Sequence, residues 1–292
     1  MKRLAVITMV YNESFNLPYW IAYYSSQVDS LSDLYILDHG SDDCSTAFLD
    51  KRINLARLSR ECFRENFEAC RMEYIGGFIK YLLAFYRAVI YVDCDEFVVV
   101  DPRVSPSLSD YVERLELGRA YSFIGYNVLH DFEAEASLRP GDLISELRSR
   151  LELCPAMFKS SLVTSGACVS WSEGFHFSSF KPNFGNLFLF HTRYADLRAG
   201  LNRLKITRSI SDQPRLKRAS HQQISDVTFK KWLRDMLCQS LDRGGIEIDN
   251  PRVRQFLASL PVVFAETGLY EFPLDLKDDR LYELPQRFSG LF

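Results

Sequence analysis

Ala88-Val89-Ile90-Tyr91-Val92-Asp93-Cys94-Asp95-Glu96-Phe97 decides the reading of this chain. An apolar run ends abruptly in an acid, and two more acids follow within three positions. A continuous apolar run reads as a strand buried in a parallel sheet. In an open α/β sheet, ligands bind just beyond the carboxyl ends of such strands. Carboxylates gathered there repel one another and resist removal from water. Something cationic must compensate them, and a divalent metal is the simplest candidate.

The same pattern recurs upstream. Leu4 to Val10 is a buried-strand run that stops at Tyr11-Asn12-Glu13-Ser14. A helix is expected from Phe15 to Gln27, with Leu17, Trp20, Ile21 and Tyr24 on one face, Pro18 in the first turn and Asn12 or Ser14 as cap. Leu34 to Leu37 is a second strand, closed by the polar cluster Asp38-His39-Gly40-Ser41-Asp42-Asp43-Cys44-Ser45. A short helix over Thr46–Asp50, capped by Asp42 or Asp43, leads to a third strand at Ile53–Leu58. A long helix is expected over Glu61–Tyr86, with Gly76-Gly77 as a point of interruption, before the strand at Ala88–Val92. Alternating strands and helices imply a parallel sheet with right-handed crossovers. Three polar clusters then fall on one sheet edge, a stronger signal than any one of them.

The chain has 292 residues and a net charge of −3, so bulk electrostatics give no support to a nucleic-acid partner. Seven dispersed cysteines read as reduced thiols in a cytoplasmic protein. The N-terminal apolar run is too brief for a signal peptide and breaks at Asn12-Glu13. No run approaches the roughly 20 apolar residues that span a bilayer.

The motifs Val10-Tyr11-Asn12-Glu13, Leu37 through Ser45, and Val92-Asp93-Cys94-Asp95-Glu96-Phe97 resemble family 2 glycosyltransferases. The likeness is closest to a D-x-D-E-F branch that is similar to family 92. It covers residues 4 to 100 well and extends to about 195. Val10 stands where many members have Pro, His39 where many have Asp, and Cys44 where Gly is common. The resemblance implies the GT-A fold, a Rossmann-type α/β sheet of mostly parallel strands with flanking helices. A catalytic domain is expected over 1–205, its nucleotide-sugar half at 1–100 and its acceptor half at 101–205. A helical extension over 206–292 is expected to pack on it.

The resemblance also implies roles. Asp95 would contact a divalent metal, Mn²⁺ or Mg²⁺, and Asp93 ribose or the metal through water. His191 ends the run Asn186-Leu187-Phe188-Leu189-Phe190-His191 and resembles a late metal ligand; otherwise it is a histidine satisfied by backbone. Such a cation stabilises the charge that a leaving diphosphate gains. Val10, Asn12, Glu13 and Asp38 would meet the nucleoside, with Asp38 alternatively a turn-forming residue. Lys159 and Arg193 are candidate diphosphate partners. Within Ser170-Trp171-Ser172-Glu173-Gly174-Phe175-His176, Trp171 and His176 are candidate acceptor contacts. Glu173 is the candidate general base, with Asp131 and Glu133 as rivals. Glu96 is cast as a brace and Phe97 as core.

The basic stretch Arg203, Lys205, Arg208, Arg215, Lys217 and Arg218 reads as a loop over the donor, a solvated helix face, or a patch for an anionic glycan or membrane surface. Residues 127–155 read as a mixed-charge insertion. An amphipathic helix is expected over 226–243 and another over 252–260; the first packs on its own domain or, less simply, lies on a membrane.

The function expected is metal-dependent, inverting transfer of a sugar from a nucleotide-diphosphate sugar to a hydroxyl of a glycan or lipid-linked glycan, as in polysaccharide biosynthesis. The setting is cytoplasmic, with peripheral contact at the inner face of a membrane. The alternatives are a catalytically degenerate glycan-binding or scaffold relative, and a nucleotidyltransferase. Met9 to Leu17 contains no Gly, which argues against the phosphate loop of the last.

Overall fold

The computed structural model describes residues 1–60, 67–211 and 224–292. In chain order its main elements are β1 (Lys2–Val10), α1 (Asn16–Gln27), β2 (Leu34–Asp38), β3 (Asn54–Arg57), α2 (Phe67–Leu82), β4 (Tyr86–Tyr91) and β5 (Glu96–Val100). There follow α3 (Leu108–Val112), β6 (Ala120–Tyr121), β7 (Ile124–Leu129), α4 (Ile144–Leu147), β8 (Arg150–Leu153), β9 (Leu162–Thr164), β10 (Leu187–His191) and α5 (Leu197–Ser211). The chain continues through α6 (Asp226–Leu237), β11 (Ser240–Asp242), α7 (Pro251–Ser259), β12 (Val263–Phe264), β13 (Tyr270–Glu271) and β14 (Arg280–Glu283).

Two six-stranded sheets carry the fold, one in the order β3-β2-β1-β4-β9-β6, the other β11-β14-β8-β7-β10-β5. The expected α/β class, with helices flanking parallel strands, is present. In the first sheet β1 runs parallel to β2 and β4, and β2 to β3, while β9 is antiparallel to β4. Alternate residues of β1 explain its two covered faces. Leu4 and Val6 join Trp20 and Tyr24 of α1, whereas Ala5 and Ile7 join Ile75 and Ile79 of α2. The helix α2 continues through Gly76-Gly77, so those glycines do not interrupt it.

The second sheet is mixed, with β10 parallel to β7 and antiparallel to β5. Residues 127–155, read as an insertion, supply the last part of β7 and all of β8, which pair antiparallel inside this sheet. Gly125 is needed in β7, because a Cβ there would lie 2.3 Å from that of Met157. Helix α1 links the sheets. The hydroxyl of Tyr23 donates to the Val98 carbonyl at 2.7 Å, and the Val98 N–H donates to the Tyr24 hydroxyl at 2.8 Å.

Three local expectations fail. Thr46–Asp50 forms a turn and coil rather than a helix, because the side chains of Asp38 and Asp43 hold the loop in another path. The cap of α1 is Phe15, with no side-chain hydrogen bond, since Ser14 is held by Asp43 instead. Beyond residue 206 the chain is stranded as well as helical: β11 and β14 complete the second sheet, and Phe288 and Phe292 lie in one core with Val6 and Phe97. Among the described residues no helix is long and apolar enough to cross a membrane. The apolar face of α6 is covered, with Leu233 and Met236 packed against Leu129 and Leu281.

Candidate functional site

The acid turn is the crossing between the two sheets. The chain leaves β4 at Tyr91 and enters β5 at Glu96. Its backbone is pinned from both sides. The Glu96 N–H donates to the Asp93 carbonyl at 3.0 Å, and the Thr192 N–H donates to the Asp95 carbonyl at 2.8 Å. The Thr192 hydroxyl adds a second bond to the Asp95 carbonyl at 3.0 Å. His191 lies opposite Glu96 in the β10–β5 ladder, which brings the ends of the two apolar runs together.

Asp93 and Glu96 are held by internal cations. Lys159 Nζ lies 3.0 Å from Asp93 Oδ2 and 2.5 Å from Glu96 Oε1. Arg71 Nη1 is 3.1 Å from Asp93 Oδ1, which also accepts from the Tyr91 hydroxyl at 2.9 Å. Burial opposes ionisation of Asp93, but Lys159 and Arg71 outweigh it and hold the carboxyl well below its ordinary range. Burial likewise opposes the charge on Lys159, and the two acids outweigh it. Burial pushes Glu96 upward against Lys159. Glu96 also accepts from the Asp93 N–H at 3.1 Å, so it braces the turn, as its expected role has it. Lys159 is committed to these acids and is buried, a position unlike that of a surface phosphate clamp.

Asp95 faces the other way. Its Oδ2 is 3.4 Å from His191 Nε2. Burial works against ionisation, but His191, with help from Arg193, keeps the carboxyl at about 2. His191 Nδ1 lies 2.8 Å from Asn127 Oδ1, and Asn127 Nδ2 donates to Glu152 Oε2 at 2.8 Å. The carboxylate accepts from the amide nitrogen, which fixes the amide's orientation. The amide oxygen must then accept from Nδ1–H of the imidazole. That leaves Nε2 directed at Asp95. A carboxylate oxygen and an imidazole lone pair at this separation repel unless a proton or a metal cation lies with them. Arg193 sits beside them with Nη2 buried and unpartnered among the described residues.

On the first sheet, Asn12 and Asp42 clasp the loops after β1 and β2. Asn12 Nδ2 donates to Asp42 Oδ1 at 2.7 Å, and the Asp42 N–H donates to Asn12 Oδ1 at 2.9 Å. Asn12 has φ 52°, a left-handed conformation that Asn tolerates better than most residues. Glu13 is buried, with Oε1 2.8 Å from Arg203 Nη2 and Oε2 accepting from Asn16 at 2.8 Å. Burial, only partly offset by Arg203 and reinforced by Asp95, lifts its carboxyl to about 7. Asp38 is buried and serves its own loop, accepting from the Ser41 N–H at 2.8 Å and the Thr46 hydroxyl at 3.0 Å. Val10 is core, and its carbonyl accepts from the His39 N–H at 2.9 Å.

The Trp171–His176 segment has other work. Trp171 donates its indole N–H to the Ser160 carbonyl at 3.0 Å and packs on Phe175. His176 Nδ1 donates to the Ala156 carbonyl at 2.7 Å, and burial with nearby Lys159 lowers its pKa to about 4. Glu173 is exposed on the turn Glu173–Phe175, and among the described residues no hydrogen bond or ion pair joins its side chain to Asp95 or His191. Asp131 pairs with Arg150 at 3.3 Å and Glu133 with Arg234 at 2.9 Å. Arg203 and Arg208 belong to α5, and Arg208 pairs with Asp226 at 2.6 Å; Arg215, Lys217 and Arg218 fall outside the described residues.

Sequence reading missed Asn127, Glu152 and Arg71, and it placed Arg203 in a basic stretch without its partner Glu13. Asn127 carried a detectable signal, as a polar residue within the apolar run Ile124–Leu129. The other three act across many intervening residues.

Among the described residues no three His, Cys, Asp or Glu side chains group to hold a metal ion. Asp95 and His191 offer two donor atoms. A hard cation that takes one or two protein ligands and completes its shell with phosphate oxygens and water fits such a pair. The class defined so far is therefore an α/β protein with a carboxylate–imidazole pair at a seam between sheets.

No protein-family model matches the sequence, and no curated protein matches it. Among solved structures the chain is similar to S. aureus TarS 1–349, at 10% identity over 75% of this chain and 68% of that one. The TM-score is 0.36, and a likeness so distant carries no argument about chemistry.

Proposed function

We propose that this chain is a metal-dependent glycosyltransferase. It moves a sugar from a nucleotide-diphosphate sugar to a hydroxyl of a glycan or lipid-linked glycan, with inversion. The observation that carries this reading is the Asp95–His191 pair, 3.4 Å apart at the seam with its imidazole oriented by Asn127. The three strand-end motifs that resemble family 2 glycosyltransferases add to it.

In this reading Asp95 and His191 hold Mn²⁺ or Mg²⁺, which supplies Lewis-acid stabilisation of the leaving diphosphate. Arg193, with its buried uncommitted Nη2, is the side chain available to a phosphate oxygen. Asp93 borders the ribose while Lys159, Arg71 and Glu96 fix it in place. The loops clasped by Asn12 and Asp42 shape the nucleoside side, with Glu13 beneath them and Asp38 setting the second loop. No general base is assigned: Glu173, the candidate from the family resemblance, is exposed on its own turn and has no hydrogen bond or ion pair to Asp95 or His191 among the described residues. The degenerate glycan-binding reading has no observation of its own: both acids of the motif and the oriented histidine are present.

A thermal-shift panel of nucleotide sugars with Mn²⁺, repeated with a chelator, tests the reading. One nucleotide sugar should raise the melting temperature with Mn²⁺ and lose that effect on chelation. Saturation at a hundredfold excess over Kd adds about 2.7 kcal/mol. If no nucleotide sugar shifts the transition, the reading fails.

A further inference from the structure

A cleft of about 390 Å³ lies where the end of β8 meets α6 and the segment 274–277. That volume falls within the range of small-molecule sites. The cleft is joined to the Asp95–His191 pair by two routes. Glu152 lines it while accepting from Asn127, the partner of His191. Tyr194 lines it with its ring 6.2 Å from that of His191.

Its chemistry selects a ligand. Trp232 lines the cleft and is 39% exposed, whereas Phe229, Leu233 and Met236 of α6 are buried. The exposed indole offers flat apolar surface, whereas the Tyr194 ring is stacked on Phe229. Gln239 Oε1 is buried in the wall without a hydrogen-bond donor among the described residues. A buried acceptor left unpaired forfeits its hydration with nothing in return, and a ligand hydroxyl can make good that loss. Glu152, Asp235 and Asp275 outnumber Lys277 in the lining, so an anion is disfavoured. A neutral, hydroxyl-rich ring matches all three properties.

We propose that this cleft is the acceptor subsite and takes a neutral sugar ring, stacked on Trp232 and donating a hydroxyl hydrogen bond to Gln239. The assignment rests on the glycosyltransferase reading for its role, but the binding itself is measurable without a donor. It moves the acceptor away from Trp171, whose indole N–H is already engaged, and from His176, whose Nδ1 is held by the Ala156 carbonyl.

The probes are the methyl glycosides of glucose, galactose and N-acetylglucosamine, followed by saturation-transfer NMR. Wild type should give a transfer signal with at least one of them. Trp232→Ala and Gln239→Leu should each weaken binding about tenfold, with unchanged circular dichroism. Trp232→Phe keeps a ring and should retain the signal. Wild-type binding by both the Ala and Leu variants overturns the proposal, as does a wild type that binds none of the three. Melting shifts with nucleotide sugars and Mn²⁺ on the same samples separate the two claims. Loss of those shifts in wild type removes the donor reading and leaves the glycoside result standing. Intact shifts without a glycoside signal remove the cleft alone.

Discussion

Asp93 and Asp95 lie two residues apart in one turn, yet they have partners of different kinds. Asp93 is met by Lys159, Arg71 and a tyrosine hydroxyl, and Lys159 also neutralises Glu96. Asp95 meets the imidazole of His191, with Arg193 nearby but not paired to it among the described residues, and behind that imidazole an amide and a carboxylate fix which nitrogen faces it. The cost of desolvating a carboxylate can be met within the fold by fixed cations, and such a carboxylate is then structural. A carboxylate facing a tautomer-fixed histidine has no such fixed ion pair, and in the proposed reading a metal cation takes that place. The acid cluster is thus two sites, one closed and one open.

Breaking the closed half should have the largest effect on stability. Lys159→Met leaves Asp93 and Glu96 buried beside each other and should cost about 3–5 kcal/mol, read as a lowered urea midpoint at constant slope. Adding Glu96→Gln to that variant should return part of the loss. A wild-type midpoint in Lys159→Met would mean that Asp93 and Glu96 are not held as described.

Glu13 sharpens the comparison, because it is buried like Asp93 but only partly compensated. Its carboxyl is raised to about 7 in the fold, by burial first. Between the ordinary value and about 7 the folded chain holds a proton that the unfolded chain has released. Stability therefore falls as pH rises through that window and levels off above it. Urea unfolding at pH 5 and pH 8 should show a loss on the order of 3 kcal/mol from this group. The loss should be absent from Glu13→Gln. Equal pH dependence in both proteins would contradict the assignment.

The open half should respond in binding rather than folding. Asn127→Ala removes the group that orients His191 and should weaken Mn²⁺ binding about 10- to 100-fold. Calorimetric titration with Mn²⁺ and a nucleoside diphosphate checks this. Unchanged affinity would detach Asn127 from the site.

Much of the first sheet was legible in the sequence, since Leu4–Val10, Leu34–Leu37 and Ala88–Val92 are apolar runs ended by polar clusters. The second sheet was not. Arg150-Leu151-Glu152-Leu153 is four residues long and carries two charges, so local pattern alone reads it as insertion. The pairing of Lys159 with acids 63 and 66 positions earlier is a property of the fold and leaves no local trace. Asp38 and Thr46 show the converse case: the turn-forming alternative was readable from Asp38-His39-Gly40-Ser41, and the carboxylate does serve its own loop. The open half was partly visible, with His191 found at the end of its strand and Asn127 passed over at the start of the stretch read as an insertion.

The most direct test of the two-site account is Mn²⁺ binding in Asp95→Asn, measured by electron paramagnetic resonance in the presence of a nucleoside diphosphate. The account predicts that bound Mn²⁺ disappears while the unfolding free energy from urea titration stays within about 1 kcal/mol of wild type. Mn²⁺ bound as tightly as in wild type would contradict it.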